Sequence, residues 1–495
     1  MPNLLHLSTW IVVMLLCIRN GTAKSRKDDD RQQYLCSSDA VYEDALSKGI
    51  LFFEGQRSGK LPATQRVQWR ADSALSDGSL ENFGWPMAFS VSLLSWAAAE
   101  YGHDIDSGRQ LQNLQTAIRW GTDFLLQAHI SSTTLYTQVG DADGDHGCWE
   151  RPEDMDTART LYKITSTSPG TEVAAEAAAA LAAASVVFKE ADSKYSAQLL
   201  RHSESLFQFA DKYRGSYQGS CPFYCSYSGY KDELLWAAAW LYKASGDSNY
   251  LNYVSTNQDW SQPASEFSWD SKFAGAQTLL AKARKTDLLR YKNDADSFVC
   301  ALMPGSSSVQ IKTTPGGLLY TRDSSNLQYV ASASMVLLVY SKILTAARVE
   351  GVRCGSVNFS TTKITAFARS QVDYVLGNNP MNMSYMVGFG TKFPTQLHHR
   401  GSSLPSIHTS PGEIGCKDAY STWYTSPKPN PNTHVGAIVG GPDSNDHFTD
   451  SRSDFLHLEP TTYMNAAFVG SMAALLAQTK QECLHLHANR PSVVD

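Results

Sequence analysis

Positive charge is what this sequence has little of: 42 Lys and Arg stand against 48 Asp and Glu, a net charge of -6. Without a basic stripe, nucleic acid is not an expected partner. A bilayer-spanning run is missing from the N-terminal region too. The apolar stretch there, Trp10 to Ile18, has nine residues, too few to cross a membrane. Gly21, Thr22 and Ala23 follow it, so the pattern reads as a secretory signal peptide over 1–23, although no Lys or Arg precedes the run. With cleavage after Ala23, a secreted chain with no membrane association and no other transmembrane candidate is expected. No phosphate-binding Gly-rich loop ending in Gly-Lys-Ser/Thr, no His-Glu-x-x-His zinc helix and no Gly-x-Ser-x-Gly nucleophile elbow occurs. No linker rich in Pro, Ser or Thr interrupts the chain. One catalytic-sized domain over 24–483 with a tail over 484–495 is therefore predicted.

Hydrophobic residues make up 42% of the chain, enough for a large folded core. Of nine Cys, Cys17 would leave with the signal peptide; the remaining eight are an even count, which suits disulfides in a secreted protein. Spacing leaves the pairing open, except that Cys221 and Cys225 suit a local disulfide better than a zinc knuckle, since no second Cys/His pair follows at zinc spacing. Asn358 and Asn382 head glycosylation sequons. Helical periodicity dominates. Val41, Ala45, Gly49 and Phe53 recur every fourth residue, the segment from Glu172 to Lys189 is Ala-rich, and similar runs cover Met87–Glu100, Leu111–His129, Lys231–Ala244, Tyr329–Leu344 and Tyr463–Gln478. About a dozen helical segments and few alternating stretches predict an all-α fold. Two long polar loops, Gly377–Ser410 and Cys416–Asp454, are longer than connections inside a compact domain need to be, which points to function.

Three constellations could carry chemistry. Asp450 and Glu459 flank a loop leading into a helix near Thr461; they are a carboxylate pair with one possible general acid, or they are solvated or cap that helix. His398, His399 and Arg400 sit together in a Gly/Pro-rich loop, suited to binding hydroxyls or orienting a carboxylate, or simply a surface loop. Asp141, Asp143 and Asp145 imitate a calcium loop, but Gly is not at its sixth position and Pro152 stands at its twelfth, so an EF-hand is excluded. His146, Trp149 and the acids from Glu150 to Asp156 follow, a mixture that suits a sugar cleft or a salt-bridged turn.

Taken together, these stretches resemble glycoside hydrolase family nine, specifically the secreted plant endo-1,4-β-glucanases, from about Tyr42 to Gly470. Ser384 to Arg400 looks like the family's histidine signature and Phe448 to Ala466 like its Asp/Glu signature. Phe52–Pro62, Cys148–Asp156, Asp373–Pro380 and Val439–Asp443 are similar to further family stretches. The resemblance implies an (α/α)6 barrel with an open cleft for β-1,4-glucan in the cell wall; a monomer without cofactor is expected, and no metal, since no metal constellation occurs in this sequence. It also implies an inverting mechanism, in which one carboxylic acid protonates the leaving oxygen while a carboxylate activates water on the opposite face. By position, Glu459 matches the general acid, Asp450 and His398 match the other active-site positions, and Arg400 matches a substrate-contacting arginine. His146, Trp149, Trp236 and Trp260 resemble cleft residues that contact or stack on glucosyl rings.

One departure stands out against that resemblance. Relatives carry a D-A-G-D-N segment whose aspartates position and deprotonate the attacking water. Here the stretch Leu75–Ser79 passes through only Leu80–Trp85 into Pro86–Phe89, and the segment is absent. Asp77 belongs to the flank, Asp143 and Asp145 to another loop, and Glu81 is the one new acid at the junction. Ser324 also stands where relatives have a tryptophan. The expectation is thus a glucanase impaired for want of its base, with a catalytically inactive glucan-binding protein as the alternative.

Overall fold

The computed structural model describes residues 39–75, 82–282 and 288–488. The expected signal peptide, Cys36, Asp77 and Glu81 lie outside them. Twelve helices of nine or more residues are present among the described residues: α1 (39–55), α2 (Gly84–Ser107), α3 (Leu111–Ala128), α4 (Thr171–Phe188), α5 (Ser193–Lys212), α6 (Lys231–Ser245), α7 (Ser248–Thr256), α8 (Phe273–Ala281), α9 (Leu289–Leu302), α10 (Asn326–Ala346), α11 (Thr361–Val375) and α12 (Thr462–Ala488). The tail expected from Leu484 therefore begins as a continuation of α12.

The even-numbered helices close a ring: α12 packs on α2, α2 on α4, α4 on α6, α6 on α8, α8 on α10 and α10 back on α12. The odd-numbered helices lie outside it, α3 against α2 and α4, α5 against α4 and α6, and α11 against α10 and α12. This is the (α/α)6 barrel. Sequence explains who is inside. Helix α4 is buried along almost its whole length, and its alanines let neighbours approach on every side. Helix α3 instead buries only Leu114, Ile118, Thr122, Leu125 and Ala128, one stripe at helical spacing, and wets the rest. Helices α4 and α10 are long and apolar enough to cross a membrane, which departs from the expectation of no further candidate. Both are inner-ring helices whose apolar surface is taken up by the barrel itself.

At one end the first turns of the inner helices converge on a single buried cation. Lys272, the residue before α8, places Nζ 3.2 Å from Glu233 of α6 and 3.8 Å from Glu176 of α4. It also sits over the rings of Trp85 and Phe89 of α2. All three ionic side chains are fully buried, and such charges persist in an interior only when paired. Ser90 and Thr462 join α2 to α12 at the same end, hydroxyl to hydroxyl at 2.8 Å.

A small antiparallel sheet flanks this end. β3 (Thr134–Val139) pairs with β1 (Asn82–Phe83), β2 (His129–Ser131) and β4 (Leu161–Thr165). It delivers the chain into the Asp141–Asp145 turn. Disulfides join Cys148 to Cys416, Cys221 to Cys225 and Cys300 to Cys354. The expected local bridge is thus present, and the first of the three ties two site loops that are far apart in sequence.

Candidate active site

The two polar loops are laced to each other. The Asp450 carboxylate accepts from the Thr395 amide and hydroxyl, both at 2.8 Å on Oδ2, and from the Gln396 amide at 2.9 Å on Oδ1. Three residues further on, the His398 amide donates to the Leu458 carbonyl at 3.2 Å. The His398 ring closes the lacing: Nδ1 lies 2.8 Å from the Arg452 carbonyl. A carbonyl only accepts, so Nδ1 carries the proton and Nε2 is the acceptor of the neutral ring. Burial lowers the His398 pKa and keeps it neutral. Gly440 permits the close approach behind this turn, because a Cβ there would stand 2.4 Å from the Leu456 carbonyl.

These bonds set Glu459 beside Arg400. Glu459 follows the short helix Phe455–Leu458 and is exposed. Desolvation by the surrounding loops pushes its pKa up to about 7, and the Arg400 charge opposes that rise. A carboxyl that keeps its proton near neutrality while reaching solvent has the property a general acid needs. Arg400 is itself fixed, with Nη1 donating to Asp145 Oδ2 at 2.7 Å and Nη2 to the Asp145 carbonyl at 2.8 Å. The three acids of the false calcium loop are therefore accounted for in part: Asp141 caps its turn at the Gly144 amide and Asp145 holds Arg400. Among the described residues no group of three His, Cys, Asp or Glu side chains could hold a metal ion. Glu150, buried nearby, is also pushed up to about 7, by burial and then by Asp156.

Aromatic rings pack around these loops, and the expectation that Trp149 offers a face to sugar needs correction: it is 8% exposed, with its ring against His398, Tyr424 and Arg400. Trp149 donates from its indole to Ser403 Oγ at 3.0 Å, meets His398 edge-on at 4.8 Å and lies under Arg400. His146 stacks on Phe223 at 4.1 Å. Tyr463 of α12 meets Tyr224, whose ring stands against Trp269 at 5.0 Å. Ser324 is exposed just ahead of α10.

Glu459, Asp450, His398, Arg400, His146 and Trp149 thus belong to one neighbourhood. Asp450 serves it as an anchor, since three donors occupy its carboxylate. Trp236 needs correction: it is fully buried in the barrel core against Trp96, Trp240 and Phe267, with its indole 3.3 Å from Glu176, so it presents no face to a sugar. Trp260 is half-buried; its ring contacts are Arg214 and Lys231 above and Tyr253 at its edge. Sequence reading missed Phe223, Tyr224, Tyr424 and Arg452. The aromatic density of Tyr420–Tyr424 was the signal available for one of them.

An (α/α)6 barrel bearing a carboxyl of raised pKa, a neutral histidine and an anchored arginine suits a glycosidase. The family model for glycosyl hydrolase family 9 matches residues 42–472, and the chain belongs to that family. It is a glycosidase of the endoglucanase class. An endoglucanase of Phaseolus vulgaris is 67% identical over 456 residues, covering 88% of this chain and 92% of that protein. Endoglucanase 20 of Arabidopsis thaliana is 64% identical, with 88% and 95% covered. Among solved structures, the endoglucanase of the termite Nasutitermes takasagoensis aligns with a TM-score of 0.78 at 39% identity, covering 88% of this chain and 99% of that one. Endoglucanase CelQ of Clostridium thermocellum, solved with cellotriose, aligns at 0.76 and 31% identity, with 88% and 71% covered.

Proposed function

We propose that the protein acts on β-1,4-glucan of the plant cell wall as a secreted monomer, with Glu459 as the general acid of an inverting endo-hydrolysis. The observation that carries the reading is the loop lacing that joins His398 to Arg452 and Leu458 and sets Glu459, its pKa pushed up to about 7, within reach of the Arg400 charge. In this reading Glu459 gives its proton to the glycosidic oxygen as the bond to the anomeric carbon breaks. A carboxylate on the opposite face takes a proton from the attacking water. His398 holds the sugar ring beside Glu459, and the Arg400 charge limits the rise of the acid's pKa. Disulfides joining distant loops support an oxidising compartment.

The second step is where this chain falls short. The segment that supplies the base in relatives is missing between Ser79 and Pro86, and the polypeptide as written is impaired in hydrolysis. The missing segment also favours a second reading, a glucan-binding protein that keeps acid and histidine but does not cleave.

A reducing-sugar assay on carboxymethylcellulose, run beside Glu459→Gln and a cellulose pull-down, separates these. Activity well above Glu459→Gln restores a working base and overturns the impairment. Retention without activity supports the binder. Neither would overturn the glucan reading.

A further inference from the structure

A strip of rings leads out of the site and ends on exposed aromatic surface that the reaction does not use. Trp149 and Tyr424 meet at 4.8 Å, and Tyr424 stacks on Tyr420 at 4.8 Å with planes 15° apart. One face of Tyr420 is therefore covered by Tyr424, while the residue as a whole is 54% exposed. Phe455, 53% exposed, stands 6.0 Å from the His398 imidazole. Bare rings of this size in a surface turn lose apolar burial and gain nothing for the fold.

The turn that carries them is held rigidly. Arg452 is buried, and its guanidinium donates to the carbonyls of Trp423 at 2.6 Å, Tyr424 at 3.2 Å, Ser426 at 2.8 Å and Lys428 at 2.9 Å. Its remaining donors reach Asn430 Oδ1 at 2.9 and 2.7 Å. The Arg452 carbonyl is the one that receives His398 Nδ1. One residue thus sets both the histidine beside the acid and the aromatic turn beyond it. The Cys148–Cys416 disulfide, four positions before Tyr420, fastens the same turn to the Trp149 loop. Trp423 and Tyr424 pack on Trp149, Leu404 and Ala419, while Tyr420 stays exposed beyond them.

We infer that Tyr420, backed by Tyr424, is an outer sugar subsite for glucosyl residues of the same chain that reaches Glu459. A pyranose ring has an apolar C–H face that suits an aromatic ring fixed in place, and a preformed platform binds it without an ordering cost. Continuity with the site decides the occupant, because ring follows ring from His398 to Tyr420. This subsite rests on the glucan reading above and would give the enzyme or binder a preference for longer chains.

The test measures binding of cellotriose and cellohexaose to the full secreted chain, to Tyr420→Ala and to Tyr420→Phe. Cellohexaose affinity should fall about 2- to 10-fold in Tyr420→Ala, as expected for one stacked ring, and recover in Tyr420→Phe. Unchanged melting of Tyr420→Ala would confirm that the fold is intact. An equal fall for both sugars overturns the outer placement, since cellotriose is too short to need it. Wild-type affinity for cellohexaose in Tyr420→Ala overturns the subsite alone. A wild-type chain that binds neither sugar overturns the glucan reading and the subsite with it.

Discussion

Arg400 grips Asp145 across 255 residues of chain, through both the carboxylate at 2.7 Å and the backbone carbonyl at 2.8 Å. That double hold fixes the guanidinium where its charge opposes the rise in the Glu459 pKa. Arg400→Ala should therefore raise the Glu459 pKa above about 7, because a stabilising positive charge is lost from the ionised form. A general acid works while protonated, so the alkaline limb of any activity profile would shift upward. Arg400→Lys keeps the charge but not the fork, and should leave the pKa closer to wild type while loosening the turn. Titration of 13C-labelled glutamate by NMR reads the pKa even in a chain that does not turn over. A fall of the pKa in Arg400→Ala would contradict the assignment.

Asp450 is expected to behave as a positioning residue. Its carboxylate accepts three bonds from Thr395 and Gln396, and through them it sets the loop that carries His398 and Arg400. Asp450→Asn keeps the shape but loses charge and one acceptor, and should cost about 1–3 kcal/mol of stability. Asp450→Ala should cost more. Glucan affinity should weaken in parallel with the melting temperature. Full stability with affinity abolished would assign Asp450 to the sugar instead.

Stability should fall as pH rises from about 4.5 to about 8. Glu172 has no solvent exposure; burial pushes its pKa up to about 8, so between these limits the folded protein holds a proton the unfolded chain has lost. The contribution is present below the ordinary value of 4.5 and is lost as pH climbs through the folded value. Its slope is at most about 1.4 kcal/mol per pH unit. Glu172→Gln keeps an oxygen to accept from the Tyr217 amide and cannot ionise, so its melting temperature should vary less with pH. Identical pH dependence in the two proteins would show that Glu172 ionises without penalty.

Helix number was legible because period 3.6 survives in sequence whether a helix is inside or outside the barrel. Which ring a helix joins was legible only in part: α3 declares its single stripe, while α4 and α10 look apolar all round and resemble membrane spans until their neighbours are known. Glu459, His398 and Arg400 lie in two continuous signatures, and the structure laces those loops together. Trp236 failed because a tryptophan in an apolar helix is read alike whether it lines a cleft or fills a core. Arg452 was invisible since its partners are backbone carbonyls, which leave no mark in sequence.

Trp236 offers the sharpest check on that distinction. Its ring is shut between Trp96, Trp240 and Phe267, and its indole reaches Glu176, the carboxylate that also faces Lys272. Trp236→Phe keeps an aromatic body, leaves a gap the size of the lost ring and removes a donor from a buried charged group. Cavity and donor together should cost about 2–4 kcal/mol. Cellohexaose affinity should stay as in wild type, since no face of the ring meets solvent. Thermal melting and sugar binding of the same sample decide the matter. A core role predicts lower stability with unchanged affinity, whereas a cleft role requires the reverse.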